Sequence, residues 1–327
     1  MSSSGSKIRI PRSGKILRRI LPAVLLPALL QSCFTGIEST PKISYKDVRR
    51  EQITVSDEER LASRISAPTF ADWTPGNLFL VTDAKADLTY LPMHHDARDV
   101  STGDILCYQG VRSVPSIVGG TTAELIFTRP SVPGDSLLYR PQADEQTLRE
   151  RTSFHAPFLV DMQAVAAADT LLRGRQLYTR TDRWLTSDGK DIHGRKFLKV
   201  RIDSLLPGDE NYCFRVFFTS LEKDGERGTL PMAATVDDDT PQLRGFASLF
   251  LLNDPRADYP QITDANWELI RRGRVTAGMT MQEARLALGA PKEVDRTHDR
   301  SLIYERWGYP SGIYLIFEDG LLTRFKQ

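Results

Sequence analysis

The chain has 327 residues, 40% of them hydrophobic and 26% charged, with 43 Lys and Arg against 42 Asp and Glu. This composition can build real cores and excludes collagen, coiled coil, wholesale disorder and a polytopic membrane protein. Residues 1–32 hold six cations and no acid, which leaves 37 cations against 42 acids, a net of −5, over the remaining 295 residues. Such an acidic body lacks the cationic footprint that general nucleic-acid binding needs.

The basic stretch runs into Ile20–Leu30, eleven residues without a charge, interrupted by Pro22 and Pro27. As a helix it would be about 16 Å long, about half of a hydrocarbon core, so it reads as a cleaved secretory leader and not as a membrane span. The segment Leu30-Gln31-Ser32-Cys33 that closes it resembles the lipobox of bacterial lipoproteins. The resemblance implies cleavage before Cys33, a diacylglyceryl thioether on its sulfur and a further acyl chain, such as palmitate, on its amine. Two or three chains make anchoring lasting where one does not. The expectation is therefore a signal peptide over 1–32 and an outer-membrane lipoprotein. Because Phe34-Thr35-Gly36-Ile37 carries no acidic cluster, the periplasmic face is expected.

Residues 33–69 read as a lipid-anchored tether containing one short helix, since Ser56-Asp57-Glu58-Glu59 has capping-box spacing ahead of Leu61 and Ile65. From about 70 onward short apolar runs alternate with turn residues: Leu78–Val81, Ile105–Tyr108, Leu125–Phe127, Leu137–Tyr139, Leu177–Tyr178, Phe197–Ile202 and Tyr212–Phe218. Gly103-Asp-Ile-Leu-Cys-Tyr and Gly174-Arg-Gln-Leu-Tyr-Thr lie 71 residues apart, and the turns Pro133-Gly134-Asp135 and Pro207-Gly208-Asp209 lie 74 apart. That echo suggests tandem small β-barrel or sandwich modules over 70–160 and 161–258, although Pro-Gly-Asp is also a common turn. The Ala-rich run Met162–Leu172 predicts a helix between them.

The period changes over 259–327. Thr263 can cap a helix over 264–272, with Ile262 and Trp267 as a hydrophobic staple, and Thr280-Met281-Gln282-Glu283 opens a second helix that Gly289 and Pro291 end. Strand-like segments follow at Leu302–Trp307, Ile313–Phe317 and Leu321–Phe325, the last two joined by Asp319-Gly320. The predicted class is mostly β, with an α+β C-terminal domain of two helices and a three-stranded sheet. Ile270-Arg-Arg-Gly273, Gly278-Met279-Thr280, Leu288-Gly289-Ala290-Pro291, Trp307 with Tyr309 and Ile316-Phe317-Glu-Asp-Gly320-Leu321 resemble the SmpA/OmlA domain of the outer-membrane barrel assembly machinery. The resemblance implies a domain that binds and organises envelope components and does no chemistry.

Reaction centres are weakly signalled. His94-His95-Asp96 has no partner at metal-ligand spacing, Asp237-Asp238-Asp239 lacks an EF-hand frame, and no metal site or cofactor is expected. Cys107 and Cys213 sit in strand-like runs and read either as a disulfide or as buried thiols. Arg271, Arg272 and Arg274 form a basic spot at a helix end and, with Trp307 and Tyr309, make the candidate binding surface; dipole complementarity and core packing are the structural alternatives. The reading is thus a non-catalytic lipid-anchored scaffold that contacts the membrane through its anchor and an envelope protein or glycan through its body. The alternatives are a surface glycan-binding lipoprotein, or an envelope hydrolase with paired carboxylates from Asp96, Asp99 or Glu124.

Overall fold

The computed structural model describes residues 55–327 apart from 66–67, 94–98, 117–118, 187, 223–224, 235–241 and 300–301. Cys33, His94-His95-Asp96 and Asp237-Asp238-Asp239 lie outside the described residues. No helix among those described is long and apolar enough to cross a membrane. The protein is mostly β, with three antiparallel sheets, two of them half-barrels.

The chain enters through α1 (Asp57–Ala62), which carries the expected capping box: Glu59 N–H donates to Ser56 Oγ and Ser56 N–H donates to Glu59 Oε2. Leu61 and Ile65 are buried in the core of the second module, so this helix is part of the body and not of a free tether.

The first sheet has six strands, β1 (Leu78–Val81), β2 (Leu91–Pro92), β3 (Ile105–Pro115), β4 (Thr121–Thr128), β5 (Ser136–Tyr139) and β6 (Leu159–Asp161), in the order β2-β5-β4-β3-β1-β6. Short helices α2 (Ala86–Thr89) and α3 (Glu145–Glu150) sit in its connections. Alternation in β4 points Ala123, Leu125 and Phe127 into a core shared with Phe70, Trp73, Phe79, Tyr90 and Tyr108. Helix α4 (Met162–Leu172) starts at its cap Asp161, whose Oδ1 accepts from Gln163 and Ala164 N–H. It buries Val165, Ala168 and Leu172 beneath the second sheet.

The second sheet contains β7 (Gln176–Thr179), β8 (Arg183–Leu185), β9 (Asp191–His193), β10 (Lys199–Pro207), β11 (Phe214–Ser220), β12 (Arg227–Met232) and β13 (Phe250–Leu251), the last preceded by α5 (Phe246–Leu249). Its order is β13-β7-β10-β11-β12-β8-β9. Read from the β6 edge, the first sheet is 6-1-3-4-5-2; the second reproduces that path strand for strand and adds β9 at one edge. Register agrees as well. Phe127 faces Leu137 as Phe218 faces Gly228, and Val81 faces Leu159 as Thr179 faces Phe250. Each long second-row strand is bulged at its fifth residue, Gln109 in β3 and Asp203 in β10. The modules repeat each other, but with β3 equivalent to β10. The two Pro-Gly-Asp turns therefore fall at different places: after β4 in one module and after β10 in the other.

The C-terminal domain has α6 (Asp264–Arg271), capped by Thr263, and α7 (Met281–Leu288), with the Thr280–Glu283 capping box. Its sheet has four strands and not three: β14 (Glu293–Asp299), β15 (Leu302–Gly308), β16 (Tyr314–Glu318) and β17 (Leu321–Lys326) form a simple meander. The strand missed from sequence, β14, reads Glu-Val-Asp-Arg-Thr-His-Asp, an edge strand without the apolar alternation that marks a buried one. Asp319 and Gly320 both take positive φ, 48° and 85°, as a tight two-residue hairpin turn requires. Ile262, Trp267, Ile270, Met279, Ala284, Trp307, Leu315 and Phe317 form the core.

Candidate functional site

The site grows from the segment that joins β9 to β10. Lys196 and Phe197 open the tight connection into β10, and Phe197 turns the chain with φ of 57°, in the left-handed region. This places the Phe197 ring 5.5 Å from Trp267 of α6 at an interplanar angle of 20°. Backbone and side chain then interlock: Lys196 N–H donates to the Arg271 carbonyl at 2.8 Å, and Arg271 Nε donates to the Lys196 carbonyl at 3.3 Å. Lys196 Nζ reaches the Ala287 carbonyl of α7 at 2.5 Å. The second module is thereby plugged between the two helices of the C-terminal domain.

Beside the plug lies a groove of about 540 Å³ whose lining includes Arg180, Lys196, Phe197, Tyr259, Arg285 and Leu286. The Arg285 guanidinium sits 4.8 Å above the ring of Trp307, a cation–π contact that holds its orientation. Trp307 is held in turn: its Nε1 donates to Glu305 Oε2 at 3.1 Å, and Glu305 also accepts from Arg296 across the β14–β15 pair. The Tyr309 hydroxyl donates to the carbonyl of Gly289, another lining residue, at 3.2 Å, and burial pushes that phenol up to about 12. Burial also lowers the pKa of the Lys196 ammonium, opposed by the charge of Asp182.

The five residues of the predicted surface separate. Trp307 has no exposed surface and Tyr309 is half-buried; both support the groove from beneath and do not face solvent as a contact patch. Arg271 is 9% exposed, and its Nη2 donates to Glu222 of the second module at 2.5 Å, so it is a clamp between domains. Arg272 is exposed and lines a smaller cavity of about 260 Å³ with His193, Glu222 and Glu226. Arg274 is also exposed and, with Arg272 and Phe325, borders a third depression. The basic spot is therefore divided between a buried clamp and two solvent-facing cations.

Sequence reading missed Arg180, Lys196 and Arg285. Arg285 was within reach, since Met281, Ala284 and Leu288 define the inner stripe of α7 and Arg285 falls beside it. Phe197 was hidden because the apolar run Phe197–Ile202 reads as a strand from its first residue, whereas β10 begins at Lys199, and Lys196 directly before it carries no signal of its own.

Of the carboxylates considered for hydrolysis, Asp96 lies outside the described residues, and Glu124 is engaged by two arginines. Glu124 has no exposed surface, and its two oxygens accept from Arg112 Nε at 2.6 Å and Arg140 Nε at 2.5 Å. Burial raises its pKa, but the two guanidiniums outweigh burial and hold the carboxyl below its usual range. Asp99 is exposed, and its carbonyl accepts from Arg129 at 2.9 Å. Cys107 and Cys213 are free thiols, and burial pushes Cys213 up to about 12, away from the reactive thiolate. Among the described residues no group of three or more His, Cys, Asp or Glu is placed to hold a metal. No known protein family matches the chain, and no curated protein is similar to it.

Proposed function

We propose that the protein is a lipid-anchored envelope protein that binds or scaffolds other outer-membrane and periplasmic components without catalysing a reaction. One observation carries the address: six cations, eleven uncharged residues too few to span a bilayer, and Leu-x-Ser-Cys ending at Cys33. The binding role is supported by the architecture beyond it, two modules of one topology followed by a small α+β domain and a groove where the last two meet. The order of two capped helices and an antiparallel meander supports the likeness to the SmpA/OmlA domain, whose members organise partners. With Glu124 bound by two arginines, the hydrolase alternative loses one of its three carboxylates.

The test is mass spectrometry of the mature protein from bacterial envelopes. The expected N-terminus is Cys33 carrying a thioether-linked diacylglyceryl group and an amide-linked acyl chain, and Cys33→Ser should release the protein from the membrane fraction. An unmodified thiol, or a leader still attached, overturns the reading.

A further inference from the structure

The two modules differ at the end where β4 and β11 finish and β3 and β10 begin. In the first module Arg129 fills that end. Its guanidinium is fully buried and donates to Asp135, to the Asp99 carbonyl at 2.9 Å and to Asp104 at 3.3 Å. Backbone bonds identify the counterparts in the second module. Val81 N–H donates to the Asp104 carbonyl at 2.9 Å as Thr179 N–H donates to the Leu198 carbonyl at 3.0 Å, so Asp104 matches Leu198. Thr128 faces Ser136 as Thr219 faces Arg227, so Arg129 matches Ser220 and Asp135 matches Glu226. The two connecting loops have the same length, and Gly134 and Gly225 both take positive φ, 80° and 54°.

Leu198, Ser220 and Glu226, the counterparts of the three residues that make the buried pair, all line one cavity of about 260 Å³. Where the first module has a guanidinium on its stem, the second has a serine hydroxyl and open space. The carboxylate persists: Glu226 is half-buried, and its side chain has no partner among the described residues. Charge by itself selects no ligand here, because Arg195 and Arg272 share the lining with Glu222 and Glu226. Glu222 is taken by Arg271 at 2.5 Å, and Arg272 has Glu268 at 3.9 Å. That leaves Arg195 and Glu226, one charge of each sign, neither with an ion-pair partner among the described residues. A bare cation would pair with Glu226 and sit beside the like charge of Arg195, whereas a ligand with a guanidinium and a carboxylate suits both.

We propose that this cavity binds an arginine bearing a free carboxylate, its guanidinium taking on Glu226 the place that Arg129 takes on Asp135, and its carboxylate offsetting the charge of Arg195. The same chemistry is offered by a small acylated arginine and by the C-terminus of a peptide ending in arginine. The first module takes no such ligand, because Arg129 already fills the equivalent place. The inference is independent of the anchor: a bare Cys33 would leave the cavity as it is, and a cavity without affinity would leave the anchor as it is.

The experiment is calorimetric titration of the full chain in neutral detergent with four probes: N-acetylarginine, its amide, N-acetylcitrulline and an N-acetylated tetrapeptide ending in Arg. Citrulline keeps the shape of arginine and carries no charge on its side chain, and the amide removes the carboxylate. N-acetylarginine should bind at one site, and the amide and the citrulline compound each at least tenfold more weakly. Glu226→Gln should weaken N-acetylarginine at least tenfold. Ser220→Arg supplies the guanidinium from within, as the first module does, and should abolish binding without lowering the melting temperature. Should that variant fail to fold, Glu226→Gln decides, since the Glu226 carboxylate holds no other described residue in place. Tighter binding of the tetrapeptide than of N-acetylarginine assigns a protein terminus, and the reverse assigns a small metabolite. Absence of binding by both, equal binding of N-acetylarginine and either analogue, indifference to Glu226→Gln, or unchanged binding by a folded Ser220→Arg variant overturns the proposal.

Discussion

Asp135 and Asp209 occupy the same tripeptide, Pro-Gly-Asp, yet do different work. Asp135 is buried and accepts from Nε of Arg129, itself fully buried and bonded also to the Asp99 carbonyl and, at 3.3 Å, to Asp104. Asp209 is exposed and closes a local turn, accepting from Asn211 and Tyr212 N–H at 2.9 and 2.8 Å. The glycines differ too: Gly134 takes φ of 80°, while a Cβ on Gly208 would meet the Tyr212 carbonyl at 1.9 Å. Removing one partner of a buried ion pair costs about 3–5 kcal/mol, and an exposed turn contact costs under about 1. Asp135→Ala should therefore lower the urea midpoint of the first module sharply and Asp209→Ala barely move it; equal effects would contradict the assignment. Asp161 gives a prediction of opposite sign. Its Oδ1 caps α4, but its Oδ2 is buried without a partner, and burial raises its pKa above the ordinary 3.8. An acid with a raised folded pKa holds its proton longer in the folded state. Its ionisation thus penalises the fold at all pH above that value, and the penalty fades as pH falls below 3.8. Asp161→Asn keeps the cap and removes the charge, so it should stabilise by on the order of 1 kcal/mol at pH 7, with the gain vanishing near pH 3. Thermal melts at the two pH values measure it.

At the scale of elements, the repeat is carried by the bulges. In β3 the bulged Gln109 donates from Nε2 to Thr128 Oγ1 at 2.9 Å; in β10 the bulged Asp203 accepts from Thr219 Oγ1 at 2.5 Å. Both threonines directly follow the buried phenylalanine of the next strand, Phe127 or Phe218, so the same bond pins the same irregularity twice. A double-mutant cycle on Asp203 and Thr219 should return a coupling of about 1–2 kcal/mol, and one on Gln109 and Thr128 about 1, since the second bond involves no charge. Couplings near zero would mean that the bulges are set by backbone alone. These devices were not legible in the sequence: the bulged residues differ, Gln109 in one module and Asp203 in the other, only the threonine partner is shared, and the modules keep different loop lengths. Legible instead were features that local chemistry dictates, such as Ser56 and Thr280 with their answering glutamates, the helix Met162–Leu172 and the Asp319-Gly320 turn. The repeated tripeptide was a false landmark, because turn chemistry is reused wherever a chain reverses. The groove was illegible for a related reason, since Arg180, Lys196 and Arg285 come from three separate stretches and only the plug at Phe197 brings them together.

At the scale of the molecule, that plug decides whether the second module and the C-terminal domain act as one body. Phe197 stacks on Trp267, joins the C-terminal core and holds a left-handed backbone that an L-residue adopts at a cost of about 1 kcal/mol. Truncating the ring should remove about 2–4 kcal/mol of packing between the domains. Alanine keeps the backbone penalty and loses the ring, whereas glycine loses the ring and sheds the penalty. Phe197→Gly should therefore be less damaging than Phe197→Ala by about 0.5–1 kcal/mol, the reverse of the usual order inside a fold. Calorimetry would show the C-terminal domain separating into an earlier transition in both variants, earlier in alanine than in glycine. Because the Phe197 backbone also sets where Lys196 meets Ala287, both variants should release the Arg271–Glu222 clamp and open 194–198 to proteolysis. If the two melt as the parent does, the domains are joined by the clamp and Phe197 merely fills a gap. In that case Glu222→Gln, which removes one charge from the clamp, should be the variant that separates the transitions.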